Sequence, residues 1–124
     1  MPSFRVTVQH RDVTSSSNQL TYGKSNLTYT TTGYHEDRRV LSIGTSEESF
    51  TISTDIGDAG ICYLENLDAT NYVSVGFSTG VYGIRLGPSG SGIPAQFALE
   101  PATATIYLLA NTASCNVKIH VAEA

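Results

Sequence analysis

Apolar side chains occupy every second position in many segments of this 124-residue chain. Near the start, Phe4, Val6 and Val8 alternate with polar residues, and the same spacing returns in residues 115–121. A two-residue period places the apolar side chains on one face of a β-strand, whereas an amphipathic helix needs spacings of three and four residues. The pattern therefore predicts half-buried strands and little helix.

The middle of the chain repeats this alternation and adds two fully apolar runs. The alternating segments are residues 50–56, 73–77, 82–86 and 93–99. Residues 61–64 and 106–110 are apolar at consecutive positions, which is typical of strands covered on both faces or of strands at an interface. The sequence leaves both of these interpretations open.

Turn-forming residues separate the segments at intervals of roughly 8 to 12 residues, a spacing typical of a sandwich or barrel. From residue 38 to the C-terminus the sequence contains eight candidate strands, which is enough for two packed four-stranded sheets. We therefore predict an all-β fold, a jelly-roll-like antiparallel β-sandwich. The order of the strands does not follow from the pattern.

The first 37 residues differ from the rest. Residues 11–37 are rich in Ser, Thr, Asn and Gly, with only weak alternation around Leu27, Tyr29 and Thr31. We predict that residues 1–37 form a strand and a polar N-terminal arm, which is able to add an edge strand to the sandwich of residues 38–124. Together the two parts are expected to make one compact domain.

Composition and charge narrow the range of partners. Hydrophobic residues make up 40% of the chain and charged residues 15%, a balance that predicts a folded globule rather than disorder. The net charge of −4 disfavours nucleic acid as a partner, because binding to phosphates needs clustered Lys and Arg. No apolar run approaches the roughly 20 residues that span a bilayer, and the start lacks an export signal, so we expect no membrane partner and synthesis in a cytoplasm.

The residue types that hold metals or carry out catalysis are scattered. Cys62 and Cys115 lie far apart in strand-like segments, and we expect buried free thiols rather than a disulfide or a zinc site. The three histidines, His10, His35 and His120, have no spacing that would preorganise a metal site. We therefore expect no metal and no cofactor.

The densest group of charges is found in residues 35–39. A histidine beside a carboxylate can act as a general base, but adjacent residues on a strand face opposite sides and do not converge on a pocket. A solvated corner or a salt-bridged contact with a neighbouring subunit is the favoured interpretation. His120 shares its strand face with Lys118 and is expected to point to solvent or to a partner. The candidate interface residues are therefore His35, Glu36, Asp37, Arg38, Arg39, Lys118 and His120.

Two loop segments carry further candidate chemistry. Asn66, Asp68 and Asn71 offer oxygens to a Ca²⁺ ion, but a calcium site needs about six oxygens, so a turn stabilised by their side chains is the favoured interpretation. Residues 87–92 lack both the Lys-Ser/Thr ending of a phosphate-binding loop and the Gly-x-Ser-x-Gly pattern of a serine hydrolase. We predict no catalytic residues.

Several segments resemble small structural proteins of tailed bacteriophages. The most distinctive is the string Asn66-Leu67-Asp68-Ala69-Thr70-Asn71-Tyr72. The other similar segments are residues 44–50, 60–76, 84–88, 94–99 and 106–121. The similarity covers residues 40–122 and does not include the start of the chain.

This resemblance implies a capsid decoration (cement) protein, a non-enzymatic jelly-roll or β-sandwich module on the exterior of the phage head. Such a module binds the lattice of the major capsid protein, is often a trimer, and stabilises the head by tying neighbouring capsomers together. The resemblance supplies no catalytic residues and no cofactor. The alternative function is a tail- or fibre-associated module that binds a receptor or carbohydrate, with loops such as residues 87–92 forming the site.

Overall fold

The computed structural model describes residues 3–6, 10–11, 21–22, 27–30, 35–57 and 59–123, the first four segments as backbone only. Within these ranges the chain forms strands and no helix. The described residues therefore include no membrane-spanning helix. The strands are β1 (Ser3–Val6), β2 (His10–Arg11), β3 (Thr21–Tyr22), β4 (Leu27–Thr30), β5 (Glu36–Ile43), β6 (Glu48–Thr51), β7 (Ala59–Asn66), β8 (Val73–Gly76), β9 (Ile84–Leu86), β10 (Gln96–Leu99), β11 (Thr105–Ala110) and β12 (Cys115–Glu123).

Eight of these strands form two four-stranded antiparallel sheets. The first sheet has the order β10-β7-β12-β5 and the second has the order β6-β11-β8-β9. The predicted all-β fold and antiparallel sandwich are thus confirmed. The first strand of the sandwich begins at Glu36, so it includes two residues that the sequence pattern assigned to the N-terminal arm.

The strand order is nested. Strand β5 lies beside β12, β6 beside β11, β7 beside β10 and β8 beside β9, as if one long hairpin had been folded over on itself. Strands that are far apart in sequence are therefore neighbours in space: Ile119 of β12 lies between Arg39 of β5 and Leu64 of β7. This order brings the charged start of the sandwich next to the last strand.

The core consists of side chains from the inner faces of both sheets. In β12, Val117, Ile119 and Val121 are fully buried while their neighbours Asn116 and Lys118 are exposed, which is the alternation that the sequence predicts. The buried cluster also contains Ile43, Phe50, Ile52, Ile56, Cys62, Leu64, Val73, Val75, Leu86, Ile106, Leu108, Ala110 and Cys115. Each fully buried Val, Leu or Ile contributes about 1.5–3 kcal/mol, so this cluster is the main stabilising element of the sandwich.

The two consecutive apolar runs lie in central strands of the two sheets. Residues 61–64 belong to β7 and residues 106–110 to β11. In both strands one face is buried and the other is half-buried. A central strand has neighbours on both sides that shield its outer side chains, which is why these outer positions accept apolar residues.

Strand β6 is shorter than its alternating pattern predicts. The pattern covers residues 50–56, but β6 ends at Thr51. The chain then turns, because the Ile56 amide donates a hydrogen bond to the Ser53 carbonyl oxygen at 3.0 Å. Ile52 and Ile56 are nevertheless buried, so the two-residue period here reflects burial of a loop rather than continued strand pairing.

Cys62 and Cys115 are both buried and both free. Cys62 lies opposite Val121, six residues along β12 from Cys115, which separates the two thiols by about 20 Å at roughly 3.3 Å per strand residue. Burial raises the pKa of the Cys62 thiol to about 12. Because the thiolate is the reactive form, neither position favours disulfide or nucleophilic chemistry.

A loop covers part of the outer face of the second sheet. A Cβ atom added to Gly76 of β8 would overlap the carbonyl oxygen of Val81 and lie 2.9 Å from its carbonyl carbon, so the backbone of residues 81–82 rests directly on the sheet. Glu47 anchors this covering loop (residues 77–83) by accepting hydrogen bonds from the Gly80 amide, at 2.7 Å, and from the Tyr82 hydroxyl. The tight turn requires Gly80, whose φ is 72°.

The N-terminal region contains two further antiparallel pairs. Strand β1 pairs with β4 and β2 pairs with β3, again in nested order. The predicted first strand at Phe4 and Val6 corresponds to β1, and the weak alternation at Leu27 and Tyr29 corresponds to β4. The rest of the predicted arm, apart from residues 35–37, lies outside the described residues.

Candidate functional site

The outer side of the first sheet forms an open face, because nearly all of its described side chains are exposed or half-buried. Strands β5, β12, β7 and β10 each direct alternate side chains to this side. The exposed or half-buried members of the open face are Glu36, Arg38, Val40, Ser42, Asn116, Lys118, His120, Ile61, Tyr63, Glu65, Gln96 and Ala98. On the outer side of the second sheet, by contrast, the backbone of residues 81–82 packs against Gly76.

Strand register arranges this face in rows. The first row runs across the sheet as Val40, Lys118, Glu65 and Gln96. The second row runs as Arg38, His120, Tyr63 and Ala98. Neighbours within a row are separated by about 4.8 Å between strand axes, close enough for their side chains to interact.

Charged side chains on the open face pair with one another. Arg38 contacts the Glu36 carboxylate at 3.0 Å, and the same carboxylate lies 3.8 Å from His120 Nε2. The Tyr63 hydroxyl donates a hydrogen bond to Glu65. Lys118 makes no ion pair with any described residue. The ammonium of Lys118 is therefore available to an anionic group of a partner.

A shallow cavity of about 360 Å³ lies in the middle of the open face. It is lined by Arg38, Arg39, Val40, Tyr63, Lys118, Ile119 and His120. No carboxylate lines it, although Glu36 and Glu65 lie close by on the same face. The cavity is open and wide rather than a deep cleft, so it suits the side chain of a docking protein better than an enclosed small molecule.

Of the groups that line the cavity, His120 and Tyr63 are held in their neutral forms near pH 7. Burial, and then the positive charge of Arg38, lower the pKa of His120 below its ordinary value, while Glu36 acts in the opposite direction. Burial and the hydrogen bond to Glu65 raise the pKa of Tyr63 to about 12. The positive charge of the face at neutral pH is therefore that of its Lys and Arg side chains.

The side chains of Asp37 and Arg39 point to the inner side of β5. Arg39 donates from Nε and Nη2 to the two carboxylate oxygens of Asp37, at 2.8 and 2.7 Å. Arg39 also donates to the Thr51 carbonyl oxygen at 3.2 Å, and its guanidinium stacks 4.4 Å from the Phe50 ring centre. This pair therefore closes the gap between edge strands β5 and β6.

His35 lies neither on the open face nor on the inner side of β5. It lies just before β5, where its Nδ1 is 3.2 Å from a Glu123 carboxylate oxygen. The structure thus brings Glu36, Arg38, Lys118 and His120 together on the open face, and separates Asp37, Arg39 and His35 from them. Each charged side chain of residues 35–39 thus forms an ion pair within the chain. None of these ion pairs lies in a deep pocket among the described residues.

We expect Asp37→Asn to lower the free energy of unfolding by about 1–2 kcal/mol, because a partly buried, charge-assisted hydrogen bond is lost. The hydrogen bond from Arg39 holds the pKa of Asp37 below its usual 3.8. A carboxyl whose folded-state pKa is depressed stabilises the fold above about pH 4 and loses this effect as the pH falls through the folded-state value. The wild type should therefore lose more stability than Asp37→Asn in acid.

Urea unfolding at several pH values measures this difference. The matched control is Glu36→Gln, the same chemical change on the neighbouring residue, where only a surface ion pair is lost and about 0.5 kcal/mol or less is expected. Equal effects of the two substitutions would show that the inner pair has no special role.

Asn66 anchors a tight turn at the end of β7. Its side chain is fully buried, and Nδ2 donates to the carbonyl oxygens of Asn71, at 2.8 Å, and Gly87, at 3.0 Å. A longer contact of 3.4 Å joins it to the Leu86 carbonyl oxygen, and Oδ1 accepts from the Asp68 amide at 3.0 Å. All hydrogen-bonding groups of this buried amide are therefore used.

Asp68 completes the turn. Its Oδ1 accepts from the amides of Asn71, at 2.6 Å, and Thr70, at 2.8 Å, and these bonds lower the pKa of its carboxyl. Asn71 Oδ1 accepts from the Thr112 hydroxyl. The Asn66, Asp68 and Asn71 oxygens are thus engaged with donors of the chain, which is the arrangement of an Asx turn and not of a calcium site. Among the described residues, no group of His, Cys, Asp or Glu could hold a metal ion.

Backbone hydrogen bonds hold both ends of the glycine-rich loop, residues 87–92, in place. The Gly87 amide donates to the Pro94 carbonyl oxygen, and the Ser89 amide donates to the Asp68 carbonyl oxygen at 2.7 Å. The loop therefore packs against the Asx turn. Ile93, which follows the loop, is 59% exposed to solvent.

Sequence reasoning missed Val40, Tyr63 and Glu65 as members of the open face. Their parity within each strand is visible in the sequence, but the sequence does not show that β5, β12 and β7 are neighbours. Comparison of the chain with models of protein families, with curated proteins and with solved structures found no match. What the chain does has therefore to be inferred from the open face itself.

Proposed function

We propose that the chain is a non-catalytic virion structural protein, a jelly-roll module that decorates the head of a tailed bacteriophage. It would bind the lattice of the major capsid protein on the outside of the head through the open face of β10-β7-β12-β5. The observation that carries the proposal is this uncovered four-stranded face, with its available Lys118 and its shallow cavity. The resemblance of residues 66–72 to phage structural proteins supplies the biological setting.

The nested strand order supports the jelly-roll assignment. Two interlocked four-stranded antiparallel sheets of this kind are the architecture of viral capsid modules and of lectin domains. A fold of this type supports many functions, so the surface chemistry has to decide between them.

The reactive groups of the sandwich support adhesion rather than catalysis. A nucleophile is activated by a lowered pKa or by an adjacent base. Here burial raises the pKa of Cys62 to about 12, and the hydrogen bond to Glu47 raises the pKa of Tyr82 to about 12. Arg38 and Glu36 neutralise each other on the surface. Such groups are suited to polar contacts and not to bond making.

A capsid lattice does not require a strong single contact. Linked copies of a module that bind a repeated surface gain avidity through effective concentration, so each contact can be modest. A polar face with aromatic and arginine side chains is typical of such wet, reversible interfaces.

The proposal is tested on virions of the phage whose genome encodes the chain. Heads and tails are separated, the chain is detected by mass spectrometry, and intact heads are imaged by cryo-electron microscopy. We expect the chain in the head fraction, on the outer surface, with the open face toward the capsid. Its absence from virions, or its presence only in tails, would contradict the proposal.

Charge reversal on the open face tests the contact. Heads purified from a phage that lacks the gene are mixed with added protein, and binding is measured by co-sedimentation. We expect Lys118→Glu to lower the affinity about tenfold or more, since the change from attraction to repulsion costs roughly 1.4 kcal/mol or more in total. The loss should shrink at high salt, where surface charges are screened.

The matched control is Arg85→Glu, the same reversal on an exposed residue of the second sheet, where the guanidinium stacks 4.0 Å from the Tyr72 ring centre. We expect binding by Arg85→Glu to match the wild type. If both reversals weaken binding equally, the open face is not the contact surface.

One observation favours a second candidate, a tail- or fibre-associated receptor- or carbohydrate-binding module. Hydrogen bonds of Asp68 and Asn71 hold the loops around the Asx turn in place. These loops expose the side chains of Leu67 and Ile93 at one end of the sandwich. A rigid loop end is the usual location of a binding site on a sandwich. Binding of the isolated protein to a glycan array would favour this candidate.

A further inference from the structure

Strand β5 is the longest edge of the sandwich. It lies at the end of the first sheet, pairs with β12 on one side, and has no described strand on the other. It is eight residues long, whereas the other edge strands, β6, β9 and β10, have four, three and four residues. A long edge exposes a row of backbone donors and acceptors to which another strand can pair.

The backbone groups that face away from β12 can be identified. The Glu123 amide donates to the His35 carbonyl oxygen at 3.0 Å, and the register makes these two residues opposite partners. Hydrogen-bonded and non-bonded pairs alternate along an antiparallel ladder, so the odd-numbered residues of β5 bond to β12. The residues whose N–H and C=O groups point outward are therefore Glu36, Arg38, Val40 and Ser42.

Only one half of this edge is protected. Natural sheets block edge pairing with charged side chains, including charges that point inward. The first half of β5 has four such residues, with Glu36 and Arg38 on the open face and Asp37 and Arg39 on the inner side. Residues 40–43 have none, and Val40 at the middle of the edge is 58% exposed.

We infer that β5 pairs with β5 of a second copy of this chain, around a two-fold axis at Val40. The pairing would hold whether or not the chain binds a capsid. Antiparallel pairing around this axis sets the charged half of each strand against the uncharged half of the other. The opposite pairs are Val40 with Val40, Leu41 with Arg39, Ser42 with Arg38, and Ile43 with Asp37.

Charge favours this register over the registers in which the two-fold axis lies at another residue of β5. The two-fold axis has to keep the open faces of both copies on the same side, so each residue pairs with one of the same parity. An axis at Arg38 or at Arg39 sets like charges opposite each other, and an axis at Asp37 does the same with two carboxylates. An axis at Leu41 avoids like charges but pairs fewer residues of β5.

The pairing also satisfies the outward-facing backbone. With the axis at Val40, the outward groups of Val40 meet their own copies and those of Arg38 meet those of Ser42. The exposed Val40 side chains come together at the axis, where a β-branched cross-strand pair is favourable. The result is a dimer with one continuous eight-stranded sheet, in which the two open faces adjoin.

The mass of the full chain in solution tests the inference. Light scattering during size-exclusion chromatography should give twice the 13.2 kDa chain mass. Val40→Lys sets two ammonium groups against each other at the axis, and we expect it to halve the mass or to raise the dissociation constant about tenfold or more. The matched control, Val81→Lys, changes an equally exposed valine in the covering loop and should remain dimeric.

Hydrogen exchange distinguishes this pairing from other dimers. In the wild type, the amides of Arg38, Val40 and Ser42 should be protected at high protein concentration and should lose protection on dilution or in Val40→Lys. The amides of Arg39 and Leu41, which bond to β12, should exchange equally slowly in both proteins because that pairing is unchanged.

Several outcomes would overturn the inference. These are a monomer at all concentrations, a trimer such as the phage resemblance implies, a dimer that survives Val40→Lys, and a dimer without the alternating protection in β5. Slow exchange at Arg39 and Leu41 in Val40→Lys shows that the variant has folded. Loss of the dimer can then be attributed to the edge. A monomer that still binds heads would disprove the edge pairing but would not contradict the proposed contact with the capsid.

Discussion

We expect Asn66→Asp to lower the free energy of unfolding by about 4 kcal/mol, because it places an uncompensated charge inside the fold. The substitution keeps the shape of the side chain but replaces the Nδ2 donor with an oxygen. That oxygen would face the carbonyl oxygens of Asn71, Leu86 and Gly87 inside the fold, and none of these groups can donate a hydrogen bond to it. An uncompensated buried charge costs more than the loss of a hydrogen bond alone.

Urea unfolding monitored by circular dichroism measures this effect. The matched control is Asn116→Asp, the same change on an exposed residue of β12, for which we expect a change within about 0.5 kcal/mol. A loss of less than about 1 kcal/mol in Asn66→Asp would mean that the turn rearranges easily and does not anchor the loops.

The second large effect is expected at Gly76, where alanine should cost about 3 kcal/mol. The added methyl group would overlap the Val81 carbonyl and approach the Tyr82 Cα atom to 3.2 Å. These are backbone atoms, so the covering loop would have to lift from the sheet, which places the cost at the upper end of that for overpacking. Lifting the loop also strains the anchor of Tyr82 on Glu47.

Gly83→Ala is the control for this substitution. Gly83 belongs to the same loop but has open space around its Cβ position, so we expect a change within about 0.5 kcal/mol. Thermal unfolding of the two variants provides the comparison. Similar melting temperatures for both would indicate that the loop does not rest on the sheet.

The two-residue period predicted the strands because burial on one face is a local property of the sequence. It did not predict where each strand begins, since the alternation continues into loops. Strand β9 begins at Ile84 and β10 at Gln96, whereas Tyr82 and Ile93 of the same alternating segments lie in loops. Alternation in a loop and alternation in a strand look the same in the sequence, and only backbone pairing separates them.

The candidate site was predictable in part for the same reason. Parity indicated that Lys118 and His120 share a face, and the structure has them there. Parity also indicated that Glu36 and Asp37 face opposite sides, but it could not tell which of the two points inward. A buried carboxylate leaves no signal in the sequence, because its burial depends on Arg39 and on the segment after β6, where the Ser53 amide donates to Asp37.

The position of β12 has a consequence for how the chain folds during synthesis. In the first sheet, strands β5 and β7 are joined only through β12, which follows both of them in the chain and is therefore synthesised after them. The first sheet remains split until β12 has been translated. Pairing between such distant segments is slow to form, so closure of the first sheet is a late step of folding.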